Sequence, residues 1–198
     1  MKIEFLTPGS PGRQAAEDHI RHVYKDVYGA QVAEFAPFLV SASRANGEVL
    51  CAAGIRTASD GFFSDTYLNG GFSAALLAQT GHRVPGREIM EVVSLASKTP
   101  FPVLPMLDRM VEWGRLHGMT CGVFTATAPL RKLLQRTGLS YMSLCPADPA
   151  RLENAASWGC YYETDPWVCA VSETLFRQPA LSPRAQTALN TNWKGLGS

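Results

Sequence analysis

The chain has 198 residues, 46% of them hydrophobic and 18% charged, with 17 Gly and 13 Pro spread along it. That balance excludes disorder and collagen-like architecture and suits one domain that buries roughly 70% of its unfolded surface without a metal or disulfide scaffold. With 18 Lys+Arg against 17 Asp+Glu the formal charge is +1, which makes no electrostatic case for nucleic acid or an anionic membrane surface as partner.

Lys2 to Thr7 alternates polar and apolar residues before Pro8-Gly9-Ser10-Pro11-Gly12, which predicts a short strand. From Arg13 to Tyr28 the residues Ala16, Ile20, Val23, Tyr24 and Val27 recur at helical steps, and Gly29 stands where the helix stops. Runs from Phe38 to Ser43 and from Glu48 to Thr57 flank Ala45-Asn46-Gly47, a hairpin signal. Asp65 to Thr80 has the spacing of one helix, interrupted near its start by Gly70-Gly71. Glu88 to Ala96 is rich in β-branched residues and predicts a central strand.

Val103 to His117 returns to helical spacing through Leu104, Leu107, Val111, Trp113 and Leu116. Met119 to Thr127 predicts a buried strand, Pro129 to Arg136 a short helix with proline in its first turn, and Tyr141 to Leu144 a last strand. Pro146 to Asp165 fits neither period and is expected to form an arm with one helix from Pro149 to Ser157; the polar stretch after it reads as a tail. Alternation of strands and helices implies a mixed sheet covered on both faces.

Five widely spaced cysteines without a CxxC pair read as free thiols in a reducing compartment. No run is apolar enough to serve as a secretion signal or to span a bilayer, so the expected location is cytoplasmic. P-loop, dinucleotide-binding, GxSxG and HExxH signatures are absent from the sequence. His19 and His22 sit three apart on one helix, but with no third ligand nearby they read as solvated, and no metal is expected. Cys145 and Cys160 have no histidine near them in sequence and read as packing residues rather than nucleophiles.

Glu91 carries more information. A carboxylate inside a strand covered on both faces must be paired or must work. Arg56, at the end of the preceding strand, and Arg131 are its candidate partners. One reading is a buried Glu–Arg pair that fixes strand register. The other is a general base, or an anchor for a substrate amine, whose pKa is raised by desolvation. Thr125 and Thr127, at a strand end, can donate toward a ligand or cap the helix near Pro129. Trp158, Tyr161, Tyr162 and Trp167 either line an apolar pocket or pack over the core.

Several stretches resemble the thermostable hemolysin family: Tyr28-Gly29-Ala30, Ala52 to Arg56, Phe63 to Leu68, Glu91 to Ala96, and Val123 to Thr127 with Leu130-Arg131. The most specific run is Ala147-Asp148-Pro149-Ala150-Arg151-Leu152 through Trp158-Gly159-Cys160-Tyr161-Tyr162 to Asp165-Pro166. That family is in turn similar to GCN5-related N-acetyltransferases and autoinducer (acyl-homoserine lactone) synthases. The resemblance implies an α/β, acyl-CoA N-acyltransferase-like (GNAT-like) three-layer fold with a central mixed, mostly antiparallel sheet. The expected domain covers residues 1–171, with 146–171 as an aromatic C-terminal arm and 172–198 as a tail.

The function so implied is transfer of an acyl group from an acyl-carrier protein or acyl-CoA thioester to the amine of a small metabolite or amino acid. Glu91, Ser94 and Thr125 are the expected catalytic positions. Glu91 accepts the amine proton directly or through water, while Thr125 or Thr127 and a backbone N–H beside Leu95 hold the carbonyl oxygen. Arg56 and Arg131 are expected to bind a carboxylate or phosphate. Leu95, Thr127, Trp158, Tyr161 and Tyr162 complete the substrate contacts.

Two departures stand out: Val93 and Ser94 occupy positions where the family has Gly and Asn, and Ser97 to Val103 lacks the glycine-rich turn that cradles coenzyme A pyrophosphate. The alternatives are a membrane-active or lipid-binding hemolysin-type protein, with the aromatic group in the interface, and a non-catalytic partner of a biosynthetic enzyme. A homodimer is compatible with each.

Overall fold

A computed structural model describes residues 1–172. The strands are β1 (Lys2–Leu6), β2 (Phe38–Ser43), β3 (Val49–Arg56), β4 (Ile89–Ser97), β5 (Cys121–Ala126), β6 (Met142–Pro146) and β7 (Trp167–Val171). The helices are α1 (Arg13–Tyr28), α2 (Gly71–Thr80), α3 (Val103–Leu116) and α4 (Ala128–Arg136). The strands form one sheet in the order β1-β2-β3-β4-β5-β7-β6. Only β4 and β5 pair in parallel; every other neighbour is antiparallel.

Alternation along the strands divides the core. Ala16 and Ile20 of α1 pack with Leu39, Ala52 and Ala96, and Phe72 and Leu76 of α2 pack with Ile89, Val123 and Val168. On the opposite face Val103, Met106 and Met110 of α3 meet Val40, Cys51, Ala53, Ile55 and Met90. Helices therefore cover both faces, the three-layer arrangement that the alternation of elements implied.

Four expectations are corrected. The single helix over 65–80 is a 3₁₀ turn (Phe63–Tyr67) followed by α2, because Gly70 (φ 84°) and Gly71 (φ 74°) both take left-handed backbone that breaks a continuous helix. The expected helix in 149–157 is a series of 3₁₀ turns, Pro149–Arg151, Ala155–Trp158 and Tyr161–Thr164. Residues 167–171, grouped with the arm, are the strand β7, inserted between β5 and β6.

The fourth correction concerns faces. Val27 of α1 and Leu116 of α3 read as core from their spacing but are exposed. The expected tail, Ser172 apart, lies outside the described residues.

Candidate active site

The site begins with a tear in the sheet. β4 and β5 pair from Ile89↔Cys121 to Val92↔Phe124 and no further. Beyond that point β4 stays with β3, through Ala52↔Ala96 and Cys51↔Ser97, while β5 stays with β7, through Thr125↔Val168 and Ala126↔Trp167. The cause lies in β4 itself. Its ladder with β3 passes from Gly54↔Val93 to Ala52↔Ala96, so Ser94 and Leu95 together face Ala53 in a β-bulge. Ser94 takes φ 52°, left-handed backbone for a residue with a Cβ. The extra residue bends the strand and reverses its alternation, placing Ile89 before the bulge and Ala96 after it in the clusters under α2 and α1.

Into the gap opens a cavity of about 760 Å³. Ser94, Leu95, Thr125, Thr127 and Tyr161 line it, joined on the α1 side by Tyr24 and Tyr28. On the other face its wall is Leu104, Leu107 and Val111 of α3 with Leu130 and Leu133 of α4. The apolar stripe that spacing assigned to α3 thus supplies Leu104, Leu107 and Val111 to the cavity wall, while Met106 lies wholly in the core and Val103, Met110 and Leu107 touch both. At the mouth lies the loop Ser97 to Pro102, where Pro100 and Pro102 have no N–H and the Val103 amide already donates to Pro100 O.

Glu91 is 0% exposed, on the α2 side of the sheet. Its carboxylate accepts the Phe63 amide at Oε2 (2.7 Å) and the Ser64 amide at Oε1 (2.9 Å), both from the start of the 3₁₀ turn. Burial pushes its pKa up, against the lowering effect of the Ser64 side chain, these two amides and the charge of Arg56. Arg56 is the register partner of Glu91, but its guanidinium donates to Gly61 O and Asp60 O, both at 2.8 Å. It pins the loop that delivers Phe63 and Ser64, and among the described residues no ion pair joins Glu91 to an arginine. Arg131 is held elsewhere, by Asp165 O at 2.8 Å and Asp165 Oδ2 at 2.5 Å, with its guanidinium over the Trp167 ring.

Thr127 occupies the N-cap position of α4 without a side-chain cap bond and is buried. Trp158 turns inward onto Tyr24 and Phe63, Tyr161 onto Tyr24 and Tyr28, and Tyr162 packs against Trp158 and Tyr161. Of these three only Tyr161 reaches the cavity. Tyr162 shares a 2.6 Å hydrogen bond with Tyr67. Burial raises the phenol pKa of Tyr24, Tyr28, Tyr67, Tyr161 and Tyr162, so all are neutral donors at physiological pH. The arm is locked to α1 by Cys160 N→Tyr28 O (2.9 Å) and Gln31 N→Ser157 O (2.7 Å).

The sequence reading did not single out Ser64, Tyr67, Tyr24 or Tyr28 as site residues. Ser64 and Tyr67 lie inside a family-like run, yet nothing in their spacing points to Glu91, 27 residues beyond Ser64. Among the described residues no group of three or more His, Cys, Asp or Glu could hold a metal ion, and no helix is long and apolar enough to cross a membrane. All five cysteines are free.

A seven-stranded sheet torn between β4 and β5, with helices on both faces, defines an acyl-CoA N-acyltransferase-like fold. The same fold occurs in LasI, an acyl-homoserine lactone synthase, at TM-score 0.57 and 12% identity over 86% of this chain and 89% of that one. FeeM, an N-acyl amino acid synthase from uncultured soil microbes, matches at TM-score 0.56 and 11% identity over 87% and 95%. An acetyltransferase of the GNAT family from Streptococcus pneumoniae matches at 0.52 and 11% over 86% and 98%. The chain belongs to the thermostable hemolysin family, whose model matches residues 6–175. No curated relative matches it.

Proposed function

We propose that this protein is an acyltransferase that moves an acyl group from a thioester, on an acyl-carrier protein or on coenzyme A, to the amine of a small metabolite or amino acid. The observation that carries this reading is the tear itself: a bulged β4 parts from β5 and opens a cavity beside a desolvated carboxylate. The names of the two synthases that share the fold support the same reaction class.

In this reaction the acyl chain lies against Leu104, Leu107, Leu130 and Leu133, and the thioester carbonyl sits at the bulge. Ser94 and Leu95 have no register partner on β3 or β5 there. The Leu95 N–H holds the carbonyl oxygen as charge develops on it. Glu91, its basicity raised by burial, is the final acceptor of the amine proton. The proline-bearing loop at the mouth offers few amide donors for a pyrophosphate, which favours a carrier-protein donor over free coenzyme A. Because the aromatic group is packed inward, acyl transfer accounts for it better than insertion into a membrane interface does.

A thiol-release assay with a panel of acyl-carrier-protein and acyl-CoA donors against pooled amines, with products identified by mass spectrometry, tests this. Thiol release with a matching N-acyl product is expected. Silence across the panel from folded protein would overturn the reading.

A further inference from the structure

The carboxylate that the chemistry requires is sealed from the cavity. Glu91 is 0% and Ser64 1% exposed, and neither lines the cavity wall. Thr125 does line it. Between them stands Ser64: its Oγ lies 2.8 Å from Thr125 Oγ1 and its backbone N–H donates to Glu91 Oε1 at 2.9 Å, which holds the hydroxyl beside the carboxylate.

The direction of this chain is set by proton counting. To take up a proton Glu91 must be ionised, and an ionised carboxylate only accepts, so in the relaying state the single proton of Ser64 turns to Glu91. The Ser64 oxygen must then accept from Thr125, which leaves a Thr125 lone pair, rather than its proton, for the cavity.

We infer that Ser64 and Thr125 form a two-hydroxyl relay that carries a proton from an amine in the cavity to Glu91. The inference rests on the acyl-transfer reading. As the amine nitrogen bonds to the thioester carbon, its proton passes to Thr125 Oγ1, that of Thr125 to Ser64 Oγ, and that of Ser64 to Glu91. The C–S bond then breaks, and the thiolate takes back the proton that Glu91 returns along the same path. Both hydroxyls end in their starting orientation, and the carboxylate never meets water. The relay assigns Thr125 to proton transfer and leaves the carbonyl oxygen to the bulge.

The test compares Ser64→Ala, Thr125→Val and Thr125→Ser. The relay predicts a fall in kcat/KM of about 10²-fold or more for the first two, with unchanged donor KM, and recovery of most activity in Thr125→Ser. A second readout needs no turnover: with ¹³C-labelled glutamate, the Glu91 carboxyl is titrated by NMR. Removing the Thr125 hydroxyl weakens the donation by Ser64 and moves the Glu91 midpoint upward. A hydroxyl that merely ties the turn to β5 would leave that midpoint in place.

A folded Ser64→Ala protein within about threefold of wild-type turnover, a scale well below the contribution of a proton-transfer group, overturns the relay. So does a Glu91 titration that Thr125→Val does not move. An upward shift in a protein that turns over no donor supports the hydrogen-bonded relay and instead sinks the acyl-transfer reading.

Discussion

Replacing Glu91 by Gln keeps the size of the side chain and removes its charge, and the two amides at 2.7 and 2.9 Å set the cost. A carboxylate offers an acceptor to each. Glutamine offers one oxygen and sets its NH₂ against the other N–H, donor against donor, at a position 0% exposed to solvent. One buried donor left unsatisfied costs about 1–3 kcal/mol, or a Tm lower by about 2–12 °C in a domain of this size. The variant also gains, because it no longer carries a desolvated charge.

Burial raises the folded pKa of Glu91 above its unfolded value. Its contribution to stability is therefore fully present below the unfolded pKa of about 4.3 and is lost as pH rises through the raised folded value. Glutamine titrates nowhere. The deficit of the variant should be largest near the acid end and shrink toward alkaline pH, measured by denaturant unfolding at several pH values. Turnover should fall by about 10²-fold or more at every pH. A deficit that grows with pH would refute the desolvation argument, and no deficit at any pH would refute the two-amide geometry. Wild-type turnover would remove Glu91 as the base.

Two further substitutions probe the backbone. Gly159 has φ 53° and ψ −130°, a region open almost only to glycine, and a Cβ there would lie 2.0 Å from Tyr28 O. Gly159→Ala should therefore displace the arm from α1 and cost about 3 kcal/mol or more in thermal denaturation; ordinary stability would mean that the arm does not press on α1. Ser94→Asn places a residue that tolerates left-handed backbone at φ 52°. It should raise stability by about 0.5–1 kcal/mol, and a loss would show that the Ser94 hydroxyl itself is needed at the bulge.

Residue spacing already shows α1 and α3 almost to the residue, the hairpin of β2 and β3, and β4 with a carboxylate in its middle, because those signals are local. A run such as Ile89-Met90-Glu91-Val92-Val93 states that Glu91 is buried. It does not say among what. The expected partners were arginines, since opposite charge is the simplest answer to a buried carboxylate. The answer in the fold is a pair of backbone amides, and backbone has no signature in a side-chain pattern. In α3, apolar spacing identifies residues that avoid water without distinguishing those that pack in the core from those that border a cavity, and Leu104, which lines the cavity and joins no core cluster, has the same spacing as the rest.

Sequence by itself determined the α/β class, the family, most element boundaries and the burial of Glu91, all of which rest on local periodicity or on recognisable runs. Tertiary structure alone decided the insertion of β7 between β5 and β6, the parting of β4 from β5, and the meeting of Ser64, Glu91 and Thr125. Each of these joins residues more than 20 positions apart, whose pairing depends on which backbone groups remain unsatisfied once the nearer strands have paired.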